Sequence, residues 1–228
     1  MKHLFTSVII GLLLTLSSCL EIIDDLSLNE DGTGSFKYTV NLSSSKVKIN
    51  SYLALDSLDG KKVPSLSEIT RQLDELVALL SDKEGVSNVS FDADYDNFIF
   101  KLKLDFASIV ELESAIKTIV KEKNTGQAIE ELDREWLTYS GASLNRSIPQ
   151  LQLRRTERLK SEEIADLKKG TYTSITRFDR EVERFENATA MLAKNKKAVM
   201  VRTDTYSLIQ RTDLLDNAIY LNNTPEKE

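Results

Sequence analysis

VSFDADYDNFIFKLKLDF, residues 89–106, decides the fold class. Val89, Phe91, Ala93 and Tyr95 alternate with polar residues, and Phe98, Phe100, Leu102, Leu104 and Phe106 do the same after Asp96-Asn97. Alternation of period two sends every second side chain to one face of a sheet, so each run reads as a half-buried strand. The short polar step between them reads as the turn of a hairpin.

The neighbouring stretches extend the pattern. Behind the hairpin, Ser108 and Glu111 have capping-box spacing, and Ile109, Leu112, Ile116, Ile119 and Val120 fall on one helical face. Ahead of it, Ser65 and Glu68 repeat the box. Leu66, Ile69, Leu73, Leu76, Val77 and Leu80 form an apolar stripe, with Gly85 just past the end. Earlier still, Phe36, Tyr38, Val40 and Leu42 alternate behind Asp31-Gly32, a hairpin turn signal, and the part-apolar run 21–28 supplies the partner strand. Residues 45–58 read as a short helix.

Past Gly126 the pattern thins. Residues 130–134 are charged and helical in character; 136–139 and 144–148 read as strands around Gly141, closed by Pro149. A helix is expected over 161–168, a strand over 171–178, and a pair at 188–192 and 199–203 across Lys194-Asn195-Lys196. Residues 213–221 fit neither template. The expected organisation is a signal peptide (1–18), a ββαββα part (19–125), an α+β part (126–221) continuous with it, and a disordered tail (222–228). The fold class is α+β, an antiparallel sheet of hairpins with helices packed on one face.

The N-terminus carries a different message. Met1, Lys2 and His3 precede an uncharged apolar run over 4–16, which ends in Leu16-Ser17-Ser18-Cys19. Charge, apolar core and small residues in that order are the layout of a secretory signal. The run falls short of the ~20 apolar residues a transmembrane helix needs. Leu16, Ser17, Ser18 and Cys19 resemble the lipobox of type II signal peptides. The resemblance implies cleavage before Cys19, diacylglycerol on its thiol, and acylation of the new amine. Two or more acyl chains give stable anchoring to a membrane.

Cys19 is the single cysteine and His3 the single histidine. A chain processed at Cys19 therefore has no free thiol and no imidazole. Disulfides, Cys/His zinc sites and catalysis with a histidine base are excluded. Loss of Lys2, one of 30 basic residues against 36 acidic ones, moves the net charge from −6 to about −7. That sign argues against nucleic acid.

Leu26-Ser27-Leu28-Asn29-Glu30-Asp31-Gly32-Thr33-Gly34, a short strand directly behind a lipidated cysteine and an Asp-Gly-x-Gly turn, resembles the uncharacterised LppM-like group of bacterial envelope lipoproteins. A looser likeness covers 178–199. The resemblance implies a similar α+β sheet and brings no catalytic residues.

Other clusters have plainer readings. Asp92, Asp94 and Asp96 alternate, but a calcium loop begun at Asp92 needs Gly and Glu where Asn97 and Lys103 stand, so they read as the wet side of a strand. Asn29, Glu30 and Asp31 are explained by their turn. Arg154, Arg155 and Arg158, with Lys160, form the densest basic cluster and read first as a solvated face, and Trp136 reads first as core; the alternative joins them, with Tyr139 beside Gly141, as a candidate partner surface. Glu130, Glu131, Asp133 and Glu135 read as an exposed charged helix. No catalytic or metal site and no cofactor is expected.

The expectation is thus a non-enzymatic envelope lipoprotein that binds or scaffolds another envelope protein. One alternative is a carrier of lipid or another apolar ligand, marked by an apolar cavity between sheet and helices. The other is a carboxylate-based cell-wall hydrolase, marked by two acids facing each other across a cleft. Leu20, where Asp would signal inner-membrane retention, favours the outer membrane. Glu21, Asp24 and Asp25 resemble the acidic export signals of surface lipoproteins.

Overall fold

A computed structural model describes residues 20–58, 60–123, 132–149 and 159–222. Leu16, Ser17, Ser18 and Cys19, the acidic pair Glu130 and Glu131, the cluster Arg154, Arg155 and Arg158, and the tail from residue 223 lie outside the described residues.

The chain enters as β1 (Glu21–Leu28) and turns back as β2 (Gly34–Asn41), paired in register from Glu21–Asn41 to Leu28–Gly34. Asp31 shapes the turn by accepting from the backbone and hydroxyl of Thr33, and Gly32 takes a φ of 87° that side-chain-bearing residues avoid. Over 45–58, expected to be one helix, a short helix α1 (Lys46–Leu53) gives way to β3 (Ser57–Leu58), which pairs with β4 (Lys61–Lys62) beyond it. Helix α2 (Leu66–Ser81) starts at the expected box: Ser65 Oγ accepts from Glu68 N–H at 3.2 Å, and Ser65 N–H donates to the Glu68 carboxylate at 2.9 Å.

β5 (Val86–Asp94) and β6 (Ile99–Phe106) form the quoted hairpin. β5 begins three residues before the alternation does, because a bulge lies between Ser87 and Ser90, with Asn88 at a φ of 50°. An extra residue in one strand shifts the side-chain phase. Val86 and Phe91, an odd number of positions apart, can thus both line up with inner-face partners, Phe106 and Leu102. Helix α3 (Ile109–Lys123) follows, and its Ile109, Leu112 and Ala115 are buried.

The second half contributes β7 (Leu137–Tyr139), β8 (Ser143–Arg146), α4 (Ser161–Lys169), β9 (Thr171–Phe178), β10 (Val182–Phe185), β11 (Met191–Leu192), β12 (Ala198–Asp204), α5 (Thr205–Gln210) and β13 (Asn217–Leu221). The strands expected at 136–139, 144–148, 171–178, 188–192 and 199–203 correspond to β7, β8, β9, β11 and β12. β10 and β13 were not distinguished in the sequence.

Seven strands make one sheet in the order β11-β12-β9-β1-β2-β6-β5, so the first strand of the chain is its middle. The sheet is mixed where an all-antiparallel one is expected. β1 and β9 run parallel, with Asp24 beside Ser174 and Leu28 beside Phe178. The reason is topological. β1 has one hairpin partner, and its other edge is filled by a strand arriving from the far half of the chain, outside any tight turn. Four further strands, β10-β13-β8-β7, form a second sheet.

One face of the large sheet is buried. Leu26, Leu28, Leu104, Phe106, Phe178 and Val199 from that face pack in a single cluster with Leu80 of α2, Leu112 and Ala115 of α3, and Leu144, Ile219 and Leu221 of the small sheet. The other face carries exposed Lys37, Lys101, Lys103 and Arg177. The covering layer is therefore helix over one part of the sheet and strand over the other. No described helix is long and apolar enough to cross a membrane.

Candidate functional site

Asp24 stands fourth in the central strand, in phase with Leu26 and Leu28, so its carboxylate points into the covered face. It is 1% exposed. Arg146, the last residue of β8, reaches it from the small sheet. Nη1 donates to Oδ1 at 3.1 Å and Nη2 to Oδ2 at 3.0 Å, a bidentate pair between the two sheets. Ser174 Oγ donates to Oδ1 at 2.8 Å and Tyr172 OH to Oδ2 at 2.5 Å, both from β9. A carboxylate offers about four lone-pair directions, and here four donors occupy them. Asp24 thus joins the central strand, β9 and the small sheet through one fully engaged carboxylate.

The pair colours its surroundings. Burial, reinforced by the negative charge of Asp24, pushes the Tyr38 phenol up to about 12. The same two causes raise Tyr172 well above the ordinary tyrosine value. Burial works against the charge on Arg146, but the adjacent Asp24 outweighs it and holds the guanidinium more firmly protonated than usual.

Around this network lies a cavity of about 480 Å³. Its floor is the inner face of the large sheet, with Leu26, Phe36 and Leu102 beside Asp24 and Tyr38. Ile116 and Ile119 of α3 and Leu76 of α2 form one wall. Trp136, Ile148 and Pro149 form another, and Leu208 of α5 and Leu215 close the side. Cavities of about 300–1,000 Å³ lined mainly by apolar groups, with a few fixed polar ones, are the usual form of a small-ligand site. Two buried donors among the lining residues, Trp136 Nε1 and Arg146 Nε, have no hydrogen-bond partner among the described residues. Buried donors are normally paired. A ligand with an oxygen acceptor on an apolar body matches walls and donors together.

Trp136 is 7% exposed and lines this cavity, so of its two readings the structure has the interior one and not the partner surface. Packing is the reason: Trp136 stands just ahead of β7, and its indole joins Leu137 and Leu144 in the core cluster. Tyr139 lines a separate cleft of about 510 Å³ with Glu30, Asp31, Glu113, Glu135 and Gly141. Its hydroxyl donates to Gly141 O at 3.2 Å and accepts from Arg180 Nη2 at 3.3 Å. The indole and the phenol thus serve different cavities.

The same cleft gathers several carboxylates. Glu113 there accepts from the backbone N–H groups of Trp136 (3.1 Å) and Leu137 (2.8 Å) and is ion-paired with Lys117. Hydrogen bonds from Thr33 lower the pKa of Asp31 below the usual carboxylate value. Glu113 ties α3 to β7. Of the alternating acids, Asp92 faces Lys101 at 3.7 Å, and Asp94 accepts from Asn97 N–H at 2.9 Å.

Glu21, Asp24 and Asp25, grouped in the sequence as an acidic run, belong to the central strand. Asp24 is buried, and Asp25 pairs with Arg177 at 2.8 Å. In the sequence Asp24 reads only as part of that acidic run, and Arg146 carries no signal of its own. The available signal was the phase of Asp24 in the alternation Ile22-Asp24-Leu26-Leu28, an acid in an apolar register.

No protein-family model matches the chain. No curated protein matches it. Among solved structures, the NMR structure of the folded domain of Mycobacterium tuberculosis LppM is similar, at 10% identity over 92% of this chain and 93% of that one, with a TM-score of 0.45.

Proposed function

We propose that this protein is a lipid-anchored envelope lipoprotein whose folded domain holds an apolar ligand bearing an oxygen acceptor. The observation that carries the proposal is the apolar cavity of about 480 Å³ between the sheet and its cover. The lipobox tetrapeptide ending in Cys19 supports the anchor, and with Leu20 behind it the outer membrane is the favoured location. In this proposal the cavity puts the carrier alternative ahead of a protein scaffold. The chemistry is binding: apolar walls remove the ligand's chain from water, and the unpaired indole and guanidinium N–H groups receive its carbonyl or carboxylate oxygen. Because Asp24 already neutralises Arg146, a neutral ester or amide carbonyl suits the site better than a free acid.

The test is native mass spectrometry of the processed protein purified gently from its own envelope, followed by analysis of anything it releases. A co-purifying lipid adduct is expected. The adduct should be absent from Ile116→Trp, which fills the cavity from α3 at a cost of about 1–3 kcal/mol of stability. A clean mass, together with failure to take up a fluorescent acyl ester, rejects a carrier.

A further inference from the structure

Among the described residues eight large apolar ones are exposed, and five of them, Val47, Tyr52, Leu55, Leu58 and Leu66, fall in one stretch of α1, the β3–β4 hairpin and the start of α2. α1 buries no residue, and the ion pair of Lys48 with Asp166 of α4, at 2.7 Å, ties it to the body. The stretch is an arm standing out from the molecule with apolar side chains in water. Exposed apolar side chains gathered in one stretch of chain mark a candidate contact site.

The arm's position says what the contact is. It leaves the large sheet after Asn41, whose register partner is Glu21, the first residue of β1. At that same end Thr171 N–H donates to Leu20 O at 2.7 Å, and Gly170, beside Leu20, ends α4, the helix that Lys48 grips. One residue, Leu20, separates Cys19 from the sheet, and an extended residue spans at most about 3.6 Å. Acyl chains on Cys19 would thus hold this end of the sheet against the bilayer, and whatever protrudes there must meet it. Residues 46–66 carry four lysines against two aspartates in a chain of net charge −6, with Lys48 and Lys62 paired to Asp166 and Glu68.

We infer that the arm, through Val47, Tyr52, Leu55 and Leu58, seats in the interfacial region of the membrane to which the protein is anchored. The inference rests on the proposed lipidation of Cys19. Seated so, the cavity residues Val120, near the end of α3, and Leu208 of α5 lie toward the bilayer. α3 runs back from Phe106 at the far end of the sheet, and α5 follows Asp204, the register partner of Thr171. An apolar ligand would then pass between bilayer and cavity with little exposure to water.

The test uses the full processed chain. Lipidation consumes the single native thiol, so Val47→Cys, Leu55→Cys and Val110→Cys each offer one site for an environment-sensitive fluorophore. Val110 is the matched control, 73% exposed against 76% for Val47 but at the opposite end of the sheet. On phosphatidylethanolamine–phosphatidylglycerol vesicles, probes at 47 and 55 should shift to the blue. Nitroxide lipids should quench them most strongly at shallow depth, about 5–10 Å into the interface, while the probe at 110 stays wet. A chain that floats with the vesicles while all three probes stay wet overturns the docking and leaves the anchor standing. A chain that does not float, with a Cys19 thiol open to alkylation, overturns the anchor and the docking with it. Probes at 47 and 55 that are dry before vesicles are added, with a doubled native mass, assign the arm to a second copy and also overturn the docking.

Discussion

Asp24 and Arg146 meet across 122 positions of chain, with side chains 2% and 14% exposed. Removing one member of such a pair leaves an uncompensated charge in the interior, which costs about 3–5 kcal/mol, whereas removing both restores neutrality. Asp24→Asn should therefore lower the urea-unfolding free energy by about that amount, and Asp24→Asn with Arg146→Gln should recover part of it. Losses that simply add would show that the two are not coupled. Tyr38 supplies a pH dependence. Its folded pKa of about 12 lies above the ordinary 10.0, so the protonated phenol contributes stability that is complete below about pH 10 and is lost as pH rises toward 12. The two units correspond to about 2–3 kcal/mol. Unfolding measured at pH 9 and pH 12 should show that loss, and Tyr38→Phe should shrink it. At this scale the sequence was least legible. Residue type tells that an acid and an arginine are present, but burial and partnership are properties of the assembled core, and Asp24 among Glu21 and Asp25 looks like one more surface acid.

Helices and strands were legible to the degree that their patterns were regular. The box at Ser65 and Glu68 forms as spaced, and Ser65→Ala should cost about 1 kcal/mol in thermal or urea unfolding. Glu68→Ala should cost a comparable or smaller amount by removing the reciprocal bond. At Ser108 the same spacing yields a looser arrangement, with Glu111 N–H 3.5 Å from the serine oxygen, so Ser108→Ala should matter less. Irregular elements were missed for a shared reason. β5 starts early because a bulge at Asn88 changes the phase. β10 is invisible because the shift between Val182 and Arg184 breaks alternation in a stretch already crowded with charge. Gly34 marks the opposite case: a Cβ there would overlap the Ser27 carbonyl oxygen and the Phe106 ring, a demand of tertiary packing.

For the molecule as a whole, the proposed ligand has a thermodynamic signature. A ligand bound to the native state at a hundredfold excess over its Kd adds about 2.7 kcal/mol. In a chain of this size each kcal/mol moves Tm by about 2–4 °C. Delipidation of the processed protein should therefore lower Tm by about 5–10 °C in calorimetry, with recovery on adding back the extracted lipid. The sequence by itself determined the lipobox resemblance, the presence of a single cysteine and a single histidine, the α+β class, and most strands and helices. All of these depend on residue identity or on periodicity within one element. Tertiary structure alone decided that β1 is the central strand, that β9 joins it in parallel, and that two layers stop short of filling the space between them. A cavity is the difference between the volume that elements enclose and the volume their side chains occupy, and no local window of sequence contains either quantity.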